Sequence, residues 1–218
     1  MNLEGTWLMV VSVATLAKVP VIGETRSVSE STVVANIVRE QGEYRLVPDT
    51  CGSVLVGGPK IAKTIIPQAF VRSLPDTSYP VSLEDRSGVY HFRADAGVQD
   101  VGWTGKGSWP LAKNDPRITD SDGDGHPGAT VLVKVKAFGT GEIYVVQSGQ
   151  TRFEGRAVSE DRIEGGLDVE IRQETIGASH SFLKASTEAK FEASKSGFVL
   201  TRLPMGTTCA DLATPAVR

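Results

Sequence analysis

The sequence predicts an all-β fold, an antiparallel barrel of up-and-down strands or, as the alternative, a β-sandwich. Three observations carry this. About nine short runs rich in Val, Ile, Thr and Phe alternate apolar and polar side chains at period two, with Gly, Asp and Ser clusters between them. Helical periodicity does not alternate with these runs, so a parallel βαβ sheet is not expected. Finally, 218 residues that are 40% hydrophobic and 22% charged form a folded globule's composition, long enough for one core in a single domain over residues 1–218.

The elements follow in order. Gly5 to Thr15 is apolar and β-branched, a first strand. Ser31 to Arg39 alternates Val33, Ala35 and Ile37 against Thr32, Val34, Asn36 and Val38. Gly42 turns the chain into Glu43 to Val47, and Ser53 to Val56 is a short continuation ended by Gly57-Gly58-Pro59. Lys60 to Leu74 offers a short helical face (Ile61, Ile65, Ile66, Phe70, Val71) that Pro67 interrupts. Val81 to Leu83 and Val89 to Arg93 read as a hairpin around Asp85-Arg86-Ser87-Gly88. A long segment over residues 95–128 then lacks periodicity up to Thr119 and carries Trp103 and Trp109 among Gly97, Gly102, Gly105, Gly107 and Pro110. Loops of that length in compact domains are usually functional. Thr130 to Ala137, Glu142 to Gln147 and Thr151 to Val158 are the next strands. Arg162 to Glu174 turns Leu167, Val169 and Ile171 away from Asp168, Glu170 and Arg172. Lys190 to Leu203 closes the set with Phe198, Leu200 and Arg202 on one face, before a polar tail over residues 204–218.

The formal net charge is -3 and Lys and Arg are scattered along the chain. Nucleic acid and anionic membrane surfaces are therefore not expected partners. The longest apolar run, Trp7 to Val13, is far short of the roughly 20 residues of a spanning helix, so no transmembrane span is expected. It does not read as a signal peptide either, because no basic residue precedes it; the chain begins at what reads as its first strand, as a mature secreted protein or a trimmed chain would. Cys51, in the turn-like Pro48 to Gly52, and Cys209, in the tail, offer a disulfide. A bridge there implies an oxidising compartment: periplasmic, outer-membrane-associated or secreted.

One stretch carries recognisable chemistry. In Asp120-Ser121-Asp122-Gly123-Asp124-Gly125, three carboxylates at alternate positions converge on a point, and Gly125 permits a sharp turn that brings the His126 carbonyl toward it. Oxygen donors of this kind suit a hard cation, and calcium is the expected ion. The pattern resembles the calcium loops of EF-hands, dockerins and thrombospondin-type repeats, and by that resemblance Asp120, Asp122 and Asp124 are side-chain ligands. It departs from the EF-hand in having Val131 where the closing Glu should stand and strands in place of flanking helices. A missing ligand is expected from Asp115 or from water. The His126 imidazole can be read as a ligand, a general base or a simply exposed side chain.

A second resemblance joins the two ends of the chain. Gly5-Thr6-Trp7 on the first strand and Arg202 near the end of the last are similar to the lipocalin arrangement, in which a Gly-x-Trp packs beneath an arginine at the closed end of a barrel. That resemblance implies a cup for a small hydrophobic molecule or lipid, with Trp7 and Arg202 at its base and Trp103 and Trp109 over its mouth or plugging it. Enzyme signatures are poor in the sequence. It has no Gly-x-Ser-x-Gly elbow, phosphate-cradling glycine loop or His-Glu-x-x-His, and His91, His126 and His180 lie on separate segments. The acidic pairs Glu84/Asp85 and Glu160/Asp161 fall at hairpin turns. The functional expectation is a non-enzymatic exported protein that holds a hydrophobic ligand and carries a structural calcium site. The alternative is a calcium-stabilised envelope module that binds a protein or glycan partner.

Overall fold

A computed structural model describes residues 1–19, 23–109, 112, 114–136, 138–183 and 189–212. Pro110 and Ala137, both counted above, and the tail beyond residue 212 lie outside these. Eleven strands and one short helix are present among the described residues: β1 (Gly5–Val19), β2 (Gly23–Glu40), β3 (Glu43–Gly57), β4 (Ala62–Ile65), α1 (Gln68–Arg72), β5 (Tyr79–Arg86), β6 (Val89–Val101), β7 (Ala129–Val135), β8 (Gly139–Ser159), β9 (Arg162–Ala178), β10 (Ala189–Phe191) and β11 (Gly197–Arg202). The all-β class holds. All strand pairs between named strands are antiparallel.

The pairing closes on itself. Taken in order, β1, β2, β3, β5, β6, β8, β9 and β11 each bond to the next, and β11 returns to β1, making a ring of eight. β4 and β7 extend the sheet from β8, and β10 continues the β11 side of β1. Each ring strand turns its alternate residues inward. One core unites Trp7, Met9, Val33, Ala35, Ile37, Leu46, Val81, Phe92, Phe153, Ile163, Leu167, Phe198 and Leu200, so every strand of the ring contributes to it. Phe198 sits between Phe92 and Phe153, with ring centroids 5.7 and 5.3 Å away. Each such side chain, once buried, stabilises the fold by about 1.5–3 kcal/mol. The ring interior around Trp7 is therefore packed with side chains.

Higher up, the inner face of β1 to β3 turns polar. The register places Ser27, Ser29 and Ser31 of β2 and Ser53 of β3 on the side that Val33 and Ala35 occupy below. Their hydroxyls bond one another or Thr15, at 3.0 to 3.3 Å.

Several boundaries differ from the sequence reading. Residues 43–47 and 53–56 are one strand, and Cys51 is the extra residue of a β-bulge in β3, not a turn. Gly139 to Ser159 is likewise one strand of 21 residues. It changes partner midway, pairing with β7 up to Val145 and with β6 from Gln147, which is why Ser148-Gly149-Gln150 resembles a break. β6 runs to Val101, so the long loop begins at Gly102 and not at residue 95. Lys60 to Leu74 resolves into edge strand β4 and helix α1, which starts directly after Pro67. The closing segment divides into β10, a 3-10 turn and β11.

The tail crosses the outside of the sheet. Leu203 donates to the Thr6 carbonyl, Gly206 to the Thr6 hydroxyl, and Cys209 is disulfide-bonded to Cys51 with Cα atoms 5.1 Å apart.

Candidate metal centre

Residues 102–128 leave the end of β6 and return at the start of β7 on the outer face of the sheet. On β8, Ile143 and Val145 face the cluster that contains Phe70 of α1, whereas Tyr144 and Val146 face the opposite way. Trp103 and Trp109 pack on this second side, with Ile118, Tyr144, Val146 and Ile176. The two tryptophan rings meet edge to face at 5.5 Å, and the Trp103 indole donates to the Gln147 carbonyl at 3.0 Å. Neither reaches the core that holds Trp7. In place of a cover or plug over that core, the structure shows them anchoring the long loop against β8 and Ile176 of β9.

Both ends of the loop are held by close backbone approach. Gly102 and Gly128 take φ of +77° and +92°, and a Cβ on either would lie 2.7 or 2.6 Å from the Val145 carbonyl oxygen. Only glycine fits without displacement. Between them Trp103 bridges Ile118 and Asp120 bridges Gly128, which brings the acidic turn back onto β7.

Asp120, Asp122 and Asp124 meet there. One carboxylate oxygen from each lies within 4.8 Å of the others, so the three could hold a metal ion. Asp120 Oδ1 accepts from the Gly123 and Asp124 amides and Oδ2 from Gly125, which holds its carboxyl below the ordinary range. Asp122 Oδ2 accepts from the Thr130 amide at 2.7 Å, while Oδ1 is buried with no hydrogen-bond partner. Burial first, and then the nearby Asp124 and Asp120 charges, push the Asp122 carboxyl up. Asp124 Oδ1 accepts from the His126 amide and Oδ2 from the Thr130 hydroxyl. An orphaned buried oxygen among all-oxygen donors is the environment that a hard cation completes. Thr130 positions two of the three carboxylates, and as the ordinary second residue of a strand it carried no sequence signal.

The other residues considered as ligands face elsewhere. Asp115 is engaged by Arg117, which donates through its backbone amide, Nε and Nη2 at 2.9, 2.8 and 2.6 Å. That Arg117 hydrogen bond holds the Asp115 carboxyl down to about 2. Arg117 also donates to the Lys106 carbonyl, so the pair ties the loop together. The His126 ring stacks on Tyr144 at 4.4 Å, with Nε2 4.0 Å from Glu142 Oε2. Tyr144 donates to the same carboxylate at 3.0 Å. Val131, at the position of an EF-hand's closing glutamate, is buried on the inner face and has no side-chain oxygen to offer.

At the opposite end, Trp7 and Arg202 are directly paired across β1 and β11. The guanidinium lies 4.2 Å from the indole centroid and donates to the Asn2 and Glu4 carbonyls and to Asp161, while the indole N–H donates to Leu3. No helix of the described residues is long and apolar enough to cross a membrane. No family model, curated protein or solved structure matches this chain.

Proposed function

We propose that this chain is a non-enzymatic, exported interaction module built on a lipocalin-like barrel, in which calcium held by Asp120, Asp122 and Asp124 fixes the long loop as part of a binding surface for a protein or glycan. The observation that carries the reading is the packed ring interior: Trp7, Met9, Phe92, Phe153 and Phe198 fill the space that an apolar ligand would need at the base. A partner then meets the outer face and the loops. Calcium would supply charge neutralisation at the three carboxylates and satisfy Asp122 Oδ1. The Cys51–Cys209 bridge suits an oxidising compartment.

A second reading, a carrier for a small hydrophobic molecule or lipid, draws support from the ring of eight strands in chain order and from the Trp7–Arg202 stack. Its ligand would have to lie above the packed core, beside Ser27, Ser29, Ser31 and Ser53, which suit a polar molecule better than an apolar one.

Native mass spectrometry of the protein purified from its own host separates the two. A calcium adduct without lipid is the outcome expected. A retained lipid mass would favour the carrier, and a metal-free spectrum would contradict the calcium assignment.

A further inference from the structure

The edge formed by β4, β7 and the turn into β8 gathers four lysines that lie far apart in sequence. Lys63 of β4 stands directly opposite Lys134 of β7, and the Lys136 amide donates to the Ile61 carbonyl, which brings Lys136 beside Ile61 and its neighbour Lys60. All four lysines are exposed. Directly opposed like charges destabilise an antiparallel pair. Among the described residues no ion pair engages Lys60, Lys134 or Lys136. Glu142, the acidic residue on the adjoining stretch of β8, accepts the Tyr144 hydroxyl.

Two large apolar side chains project from the same edge. Phe138, in the β7–β8 turn, is 73% exposed, and Ile61, just before β4, is 53% exposed. Lysines on an edge strand can serve simply to deter pairing with another sheet. That role does not account for a phenylalanine 73% exposed at the tip of the neighbouring turn. Cations around a protruding aromatic match a surface that is anionic outside and apolar a few ångströms within.

We propose that this edge docks on an anionic lipid bilayer, with Lys60, Lys63, Lys134 and Lys136 held at the headgroups and Phe138 and Ile61 inserted below them. The contact is independent of the calcium loop and of a ligand in the ring, since it uses neither.

Co-sedimentation with vesicles, run in chelator so that calcium cannot bridge lipid and protein, tests it. The wild type should partition onto vesicles of phosphatidylcholine with phosphatidylglycerol and not onto phosphatidylcholine alone. Lys134→Gln with Lys136→Gln should weaken that binding about 25-fold, at about fivefold per cation, and Phe138→Ser should weaken it as well. Phe138→Trp should add blue-shifted emission on the anionic vesicles. All these positions are exposed, and unchanged circular dichroism would confirm that each variant folds. No binding to anionic vesicles would overturn the proposal. So would binding that the lysine changes leave intact, or equal binding to duplex DNA that Phe138→Ser leaves untouched, which would mark a general polyanion patch.

Discussion

The Arg202 guanidinium covers the Trp7 indole at 4.2 Å, and the same side chain donates to the carbonyls of Asn2 and Glu4. One residue of the last ring strand thus seals the base of the core and ties down the chain's first residues. Arg202→Ala removes the stack and strands two carbonyls, so urea unfolding should show a loss of about 2–4 kcal/mol. Arg202→Lys should recover only part of it, because an ammonium cannot stack flat and donate in three directions. A loss below about 0.5 kcal/mol, within the range of an ordinary surface change, would show that the stack is incidental.

The Cys51–Cys209 bridge closes a loop of 158 residues and clamps the tail across β1 to β3. In the chain-entropy model it is worth about 4–5 kcal/mol. Cys51→Ala with Cys209→Ala should lower the unfolding free energy toward that extent, with the loss equal to that of the wild type in reductant. A variant as stable as the oxidised wild type would refute the clamp.

A Cβ on Gly128 would lie 2.6 Å from the Val145 carbonyl oxygen, and the residue holds a φ of +92°. Gly128→Ala strains the backbone and pushes the loop from β8, for a cost of about 2–4 kcal/mol. The cost should be accompanied by loss of the near-ultraviolet circular dichroism of Trp103 and Trp109. An unaltered tryptophan signal would mean that the loop is held by other contacts.

Asp115 supplies a pH signature. Its carboxyl lies at about 2 in the folded protein, chiefly through the Arg117 hydrogen bond, against about 3.9 unfolded. A depressed carboxylate stabilises the fold above its unfolded value, and that stabilisation disappears as pH falls through the folded value. The stability difference between wild type and Asp115→Asn should therefore be constant above about pH 5, shrink steeply toward pH 2 and vanish by about pH 1. A difference that persists unchanged at pH 2 would show that the Arg117 contact does not depend on the charge.

Much of this architecture can be read from alternation. Val33, Ala35 and Ile37, and Phe198 with Leu200, lie on the core side as period two requires, and the pairing of Trp7 with Arg202 is the one that the lipocalin resemblance implies. What alternation could not convey was strand length. Pro48 and Ser148-Gly149-Gln150 resemble breaks, yet β3 keeps a neighbour on one side only beyond Leu46, where proline is tolerated, and β8 changes partner at its polar stretch. The acidic triad was legible because its three members are local. Thr130, Gly102 and the Arg117–Asp115 tie were not, since each acts through contacts that folding creates. The lysine edge was hidden for the same reason: residues 60 and 63 reach 134 and 136 only through the β4–β7 ladder.

The most direct test of the account is the melting temperature measured with calcium and with chelator. At calcium a hundredfold above its dissociation constant, binding adds about 2.7 kcal/mol. For a chain of this size that is a rise of about 5–10 °C. The wild type should show the rise, and Asp120→Asn/Asp122→Asn/Asp124→Asn should melt at one temperature in both conditions. A wild type that melts identically with calcium and with chelator would contradict the calcium-held loop.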